Sequence, residues 1–378
     1  MKEYKRLGDY IREVNVRNRE LEVTKPMGIN INKHFMPSVA NVIGTDLSTY
    51  KLVSKTQFAC NLMHVGRDEK IPMAMHTEDS PIIVSPAYFV FEIINTNLLL
   101  PEYLMMWFHR PEFDRNAWFY TDADVRGGMD KNSLMDMTLP IPSIERQREI
   151  VAEYETLTRR IRLNEQIIQH LESTAQSLYR KMFVDGIDKE KLPEGWRIGT
   201  LTDIATYLNG TACQNYETKD TEYLPVLKIR ELTQGHCDEN SDHVTNSIPK
   251  EYIINNGDVI FSWSATLFID IWCGGKCALN QHLFKVSSSK YPKWFYYLWT
   301  KSHITIWKQL ISAKATSMGH IKREDLDSAQ IIIPTSDVLN ELNKQIHPIL
   351  KMYSLKKEEK LKLTELQSLL LAKMGQYK

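Results

Sequence analysis

Ile150, Tyr154, Leu157, Ile161, Asn164, Ile168, Leu171, Ala175, Leu178 and Met182 follow one another in alternating steps of four and three residues. Apolar positions at that spacing lie on one stripe of an α-helix, and a sustained heptad is the mark of a coiled-coil seam. Between them stand Arg159, Arg160, Arg162, Glu165 and Glu172, which suit a solvated face. The pattern predicts one helix over residues 144–183, about 60 Å long at 1.5 Å per residue. The last forty residues repeat the theme with less regularity. Leu342, Ile346, Ile349 and Tyr353 keep the seam, "LKKEEKLKL" interrupts it, and Leu363, Leu366, Leu370 and Met374 resume it. Pro348 stands inside this second pattern and is expected to break or kink the helix near Ile346, because proline has no N–H to donate. Antiparallel pairing of the two helices would let a buried Asn164 set their register. It would also place the segments that precede them at opposite ends.

Those preceding segments read as mixed α/β. Strand-like runs occur at 56–65 and 80–93, and again at 223–232 and 258–272, while "PEYLMMWFHRPEF" and "PKWFYYLWTKSHITIWKQL" carry apolar residues at helical spacing. The two series correspond. At a constant separation of 192 residues, Pro142 matches Pro334, Gly127 matches Gly319, Leu134 matches Leu326, Leu171 matches Leu363, and Lys181–Met182 match Lys373–Met374. At 194 residues, Asp9 matches Asp203. A period this long is a duplicated domain, not a solenoid repeat. The expected organisation is a globular domain over 1–142, a helix over 143–185, a second globular domain over 186–335 and a second helix over 336–378. "VDGIDKEKLPEGWRIG" connects the copies, its glycines and proline stopping the first helix.

Composition changes this picture little. Hydrophobic residues make up 43% and charged residues 25% of the 378, close to the globular average, so disorder is not expected. No apolar run is long enough for a membrane span, and the N-terminus has no signal-peptide core, which points to a cytoplasmic chain. The 47 basic residues balance the 47 acidic ones. That excludes attraction to nucleic acid through bulk charge but leaves room for a local basic surface. Five cysteines fit reduced thiols better than a disulfide framework. Cys273 and Cys277, with Cys237 and His236, make at most half of a zinc site. No second closely spaced pair accompanies them, so no metal is expected.

The order of "LPEGWRIGTLTDIATYLNGT", "YLPVLKIREL", "NNGDVIFSWSAT", "LNQHLFKV" and "SMGHIKREDLDSAQIIIP" before a long helix resembles the specificity subunits of type I restriction–modification systems. In the first half, "KRLGDYIREVNVRN", "SVANVIGTDLSTYKLV" and "TLPIPSIERQREIV" resemble the same family. The likeness implies two target-recognition domains, each reading half of a bipartite, asymmetric site in double-stranded DNA. The antiparallel helices would set the gap and hold two methylation subunits. An endonuclease–motor subunit would complete the complex, with S-adenosylmethionine, ATP and magnesium all handled by the partners and no cofactor or catalysis on this chain. The sequence contains no Asn-Pro-Pro-aromatic motif, no G-x-x-x-x-G-K-[ST] and no H-E-x-x-H.

DNA contacts are expected from polar and basic loop residues. These are Lys33, Asn41, Arg67, Arg126 and Lys131 in the first domain, and Gln214, Lys228, Arg230, Lys314, Lys322 and Arg323 in the second. For each, a solvated surface charge is the plain alternative. Lys228 and Arg230 have Glu231 or Glu222 as rival partners, and "LNQH" at 279–282 reads equally as a buried polar turn. Three other functions fit parts of the pattern: a free-standing regulator with a bipartite site, an enzyme acting on DNA through unrecognised motifs, and a coiled-coil scaffold.

Overall fold

In the computed structural model the chain divides into two units, Met1–Arg159 with Thr364–Lys378, and Arg160–Leu363. The structure describes residues 4–39, 44–63, 65–121, 127–219, 221–313 and 320–376, the side chains of 66, 67 and 310–313 apart. The expected division at 142, 185 and 335 placed each helix in a segment of its own. The boundary between units instead falls within both helices.

The first unit contains strands β1 (Tyr4–Arg6), β2 (Ile11–Glu13), β3 (Pro26–Ile29), β4 (Phe35–Pro37), β5 (Lys51–Val53), β6 (Phe58–Cys60), β7 (Met73–Met75), β8 (Ile82–Val84), β9 (Phe89–Ile93) and β10 (Thr138–Pro140). They form a β1-β10 pair and two four-stranded sheets, ordered β2-β9-β6-β7 and β4-β3-β8-β5. The second unit contains β11 (Arg197–Thr200), β12 (Thr206–Asn209), β13 (Tyr223–Leu227), β14 (His243–Thr245), β15 (Ile253–Ile254), β16 (Val259–Ser262), β17 (Phe268–Ile271), β18 (Cys277–Leu279), β19 (Leu283–Ser287) and β20 (Gln330–Ile333). Its sheets are β11-β20, β12-β19-β16-β17 and β14-β13-β18-β15. Adding ten to every strand number of the first unit reproduces the second. The parallel strand pairing recurs too, as β3 with β8 and β13 with β18. The duplication read from sparse identities is therefore a duplication of topology.

The helices correspond less closely: among the described residues, Val65–Asp68 in the first unit and Ile229–Gln234 in the second have no counterpart in the other unit, and the aromatic helix differs as well. In the second unit the aromatic helix is continuous, Lys293–Ala313. In the first it is two helices, Pro101–Phe108 and Pro111–Phe119. Pro111 cannot continue a helix from behind, and it holds Arg110 in extended backbone at ψ 134°. Other expectations fail for equally local reasons. The run 223–232 is not one strand: after Leu227 the Lys228 N–H donates to the Glu231 carboxylate at 3.1 Å, and a short helix, Ile229–Gln234, begins there. The run 258–272 is a hairpin, β16 and β17, with residues 263–267 as its turn.

The long helices are Ile144–Phe183 and Ser336–Met374. Pro348 lies within the second, which is unbroken there, contrary to expectation. Proline in a helix interior costs about 3 kcal/mol. Leu342, Ile346, Leu350 and Tyr353 on either side are all buried in the core of the second unit, and their packing offsets it. Within each unit the two helices run antiparallel. In the first, Gln367 Nε2 donates to Thr158 Oγ1 at 2.7 Å, while Ile150 and Val151 share a core with Leu371 and Met374. In the second, Lys360 pairs with Glu165 at 2.8 Å, and Glu172, seven residues on, faces Tyr353, seven residues back. Every seam position of the first helix is buried or half-buried, and Arg159, Arg160, Arg162 and Glu165 are exposed. Asn164 is 4% exposed, and its Nδ2 has no hydrogen-bond partner among the described residues. Leu366 departs from the seam at 52% exposed. In its stretch Leu363, Leu371 and Met374 are the buried residues.

Candidate nucleic-acid interface

The basic residues singled out from sequence differ in what the fold leaves them to do. Lys33 is a correction. Its ammonium is interior, 2.7 Å from Asp114 Oδ1 and 2.8 Å from the Ile71 carbonyl, so it is unavailable to a phosphate. Burial holds its pKa below the usual lysine value despite the neighbouring Asp114. Lys131 is partly exposed but shares its charge with Glu13 at 2.7 Å. Lys228 pairs with Asp242. Arg230 is bound by Glu231 at 2.6 Å and by Asp238 at 2.9 Å, the pairing that rivalled a DNA role for it in the sequence. Gln214 is exposed on the 3-10 turn Cys213–Tyr216. Asn41, Arg126 and Lys314 lie outside the described residues, as does the side chain of Arg67.

Lys322 and Arg323 are different. Both are exposed at the start of the short helix Arg323–Ser328, and neither forms an ion pair among the described residues. Asp325 accepts from the Lys322 backbone N–H at 2.7 Å, which fixes the helix start and leaves the lysine side chain to solvent. The residues just before them are tied to the β16–β17 turn: the Ile321 N–H donates to the Trp263 carbonyl at 2.9 Å. The first unit makes the same bond at the same place, from Met129 N–H to the Leu62 carbonyl at 2.9 Å.

Trp263 is the centre of this surface, and reading the sequence for basic loops passed it over. Its half-buried indole has His282, His320 and Phe284 each 5.9 Å from its centroid. Its Nε1 donates to Asn209 Oδ1 at 3.2 Å. Both histidines are exposed. Four segments thus meet: the end of β12, the β16–β17 turn, the "LNQH" turn and the stretch 320–323. Within "LNQH" the roles divide. Asn280 is buried and its Oδ1 accepts from the His282 N–H at 3.3 Å, so it shapes the turn, while His282 faces outward. Gly210 permits the approach, since a Cβ there would stand 2.2 Å from the Asn280 carbonyl oxygen. The only local signal for this cluster was the aromatic and histidine content of turns that otherwise read as polar.

The five cysteines are free thiols. Cys237 and Cys277 are neighbours, whereas Cys273 donates to the Ser354 carbonyl at 3.7 Å, so the cysteines of "CGGKC" face different surroundings. Among the described residues no group of three or more His, Cys, Asp or Glu could hold a metal ion. No described helix is long and apolar enough to cross a membrane.

Residues 193–367 match the type I restriction modification DNA specificity domain. The MjaIX specificity subunit of Methanocaldococcus jannaschii is 23% identical over 277 residues, covering 66% of this chain and 64% of that protein. The HindI specificity subunit of Haemophilus influenzae is 35% identical over 107 residues, 27% of this chain and 23% of its own length. The chain therefore spans just under two thirds of the first of these relatives and about a quarter of the second. A solved type I restriction–modification S subunit from M. genitalium shares the fold, with a TM-score of 0.58 over 99% of this chain and 96% of that one, at 10% identity.

Proposed function

We propose that the chain is a specificity subunit of a type I restriction–modification system, a reading supported by the domain match over residues 193–367 and by the specificity subunits it resembles, and that it reads a bipartite, asymmetric site in double-stranded DNA, one half with each unit. The observation that carries this reading is a repeated scaffold bearing unlike surfaces. The hydrogen bond that anchors the recognition turn is the same in both units, yet the residue at its centre is Leu62 in one and Trp263 in the other. Identical frames with different contact chemistry are what a reader of two different half-sites requires. The long helical segments act as the spacer between half-sites.

The reading assigns no catalytic step to this chain, which works in the cytoplasm. Its residues bind and orient DNA: Lys322 and Arg323 on phosphates, outward polar groups on base edges. Two methylation subunits supply the S-adenosylmethionine chemistry, and an endonuclease–motor subunit uses ATP and magnesium. Docking of the methylation subunits is supported by apolar residues left exposed on the helices, including Leu163 at 46%, Leu355 at 49% and Leu369 at 52%.

The test is reconstitution with the methylation subunits, followed by mapping of modified adenines on genomic DNA. Methylation confined to one split sequence is the expected result. Methylation without sequence preference overturns the proposal, and tight site-specific binding by the chain alone assigns it to a free-standing regulator instead.

A further inference from the structure

Asn209 ends strand β12 with its side chain exposed beside the β16–β17 turn. Its Oδ1 accepts from the Trp263 indole N–H at 3.2 Å. An indole nitrogen only donates, so the amide atom facing it has to be the oxygen. The usual ambiguity between amide oxygen and nitrogen is thereby removed by chemistry. The Asn209 nitrogen makes no hydrogen bond among the described residues, and the oxygen keeps a second lone pair. A donor and an acceptor are presented together in one oriented plane.

That plane is well held. The indole is flanked by His282 and His320 and packed on Phe284, and its carbonyl is anchored by Ile321. On the other side, Gly210 brings the end of β12 against the Asn280 carbonyl. An exposed asparagine normally samples several rotamers; this one is restrained from both sides. In the major groove, an acceptor and a donor side by side match the N6 amino group and N7 of adenine, the bidentate pairing that asparagine makes with that base. The ring of Trp263, its N–H already used, offers only apolar edge to the DNA. The first unit has Leu62 at the equivalent turn, a side chain with no hydrogen-bond donor, so among the described residues the arrangement is found in the second unit.

We propose that Asn209 reads an adenine in the half-site recognised by the second unit, and that Trp263 is the positioning residue that sets the Asn209 amide for it. This rests on the DNA-reading function proposed above. The experiment uses the reconstituted complex with its methylation subunits and a library of duplexes randomised across the half-site, with methylated adenines mapped by sequencing. Asn209→Ala lowers discrimination at one A·T pair by roughly 5- to 100-fold and leaves the other positions unchanged. Asn209→Asp, a side chain that only accepts, moves the preference at that position toward cytosine. Trp263→Phe keeps a ring and removes the donor; it weakens discrimination at the same pair without altering the other half-site, an outcome that general loss of folding does not produce. Unchanged position-by-position discrimination in Asn209→Ala and Asn209→Asp overturns the inference. A wild-type complex with no sequence preference overturns the proposed function itself, whatever the variants do.

Discussion

The Lys33 ammonium lies 2.7 Å from Asp114 Oδ1 at a place where the side chains are only 4% and 11% exposed. The same carboxylate oxygen accepts the Ile71 N–H at 3.2 Å, and Lys33 is held at a positive φ of 64°. The pair ties the loop after β3 to the helix Pro111–Phe119. Buried pairs are poor stabilisers when compared with apolar replacements, but removing one partner leaves an uncompensated charge. Asp114→Ala is expected to destabilise the first unit by about 3–5 kcal/mol. Lys33→Met combined with Asp114→Leu is expected to recover most of that loss. Urea titration followed by amide hydrogen exchange in residues 4–159 measures both, and a loss below 1 kcal/mol for the single variant removes the pair from any structural role.

His109 makes the same region sensitive to acid. Burial, with the nearby charge of Lys33 and the neighbouring His34, pushes its pKa down to about 4. Unfolded, it would titrate near the ordinary value of about 6.5. Between those values the unfolded chain binds more protons than the folded one, so stability falls as pH drops from about 6.5 toward 4 and then levels off. The loss attributable to this residue is on the order of 3 kcal/mol. In His109→Phe the decline across that window becomes shallower; an unchanged pH profile of thermal melting shows that other groups dominate it.

Among the described residues Lys322 and Arg323 form no ion pair, whereas Arg230 is held by Glu231 and Asp238. A cation that releases a counterion on binding phosphate contributes roughly 0.9 to the slope of log affinity against log salt. Lys322→Ala and Arg323→Ala are each expected to reduce that slope by about 1 in the assembled complex. Arg230→Ala is expected to leave the slope alone. Titration at four or more salt concentrations separates these outcomes, and equal slopes for all three variants place the phosphate contacts elsewhere.

Leu366 and Leu369 are both 52% exposed and border a groove with Ala152, Thr156 and Leu157. Replacing both leucines with glutamate is expected to change thermal stability little, because neither is in the core. The same change is expected to abolish co-purification with a methylation subunit. Leu371→Ala, at a site 9% exposed in the first unit's core, provides the contrast. It is expected to cost about 2–5 kcal/mol with the interface retained. Undiminished co-purification of the double glutamate variant moves the docking site off this groove.

Different parts of the chain were legible to different degrees. The long helices announced themselves because a heptad is a local pattern that persists over many turns. The strands did not, being only two to five residues long. Val259–Ser262 is buried at every position, so it shows no alternation from which an edge or a turn can be read. Leu366 was misassigned because a seam extended by spacing alone takes no account of which stripe the neighbouring helix covers. Pro348 misled in the opposite sense, since a propensity rule was overridden by packing on both sides of it.

The amino-acid sequence alone determined that the molecule is duplicated and that a long helix follows each copy, since register and periodicity are properties of order along the chain. It also established an overall charge balance that leaves any DNA contact to local surfaces. Tertiary structure alone decided which charges are available. Lys33 and Lys322 look alike in sequence, but one meets a carboxylate brought from 81 residues away and the other meets solvent. Asn209 and Trp263, separated by 54 residues, become a single oriented group only when β12 and the β16–β17 turn are brought together. Availability and orientation depend on what the fold places around a side chain, and no local pattern of residue types records that.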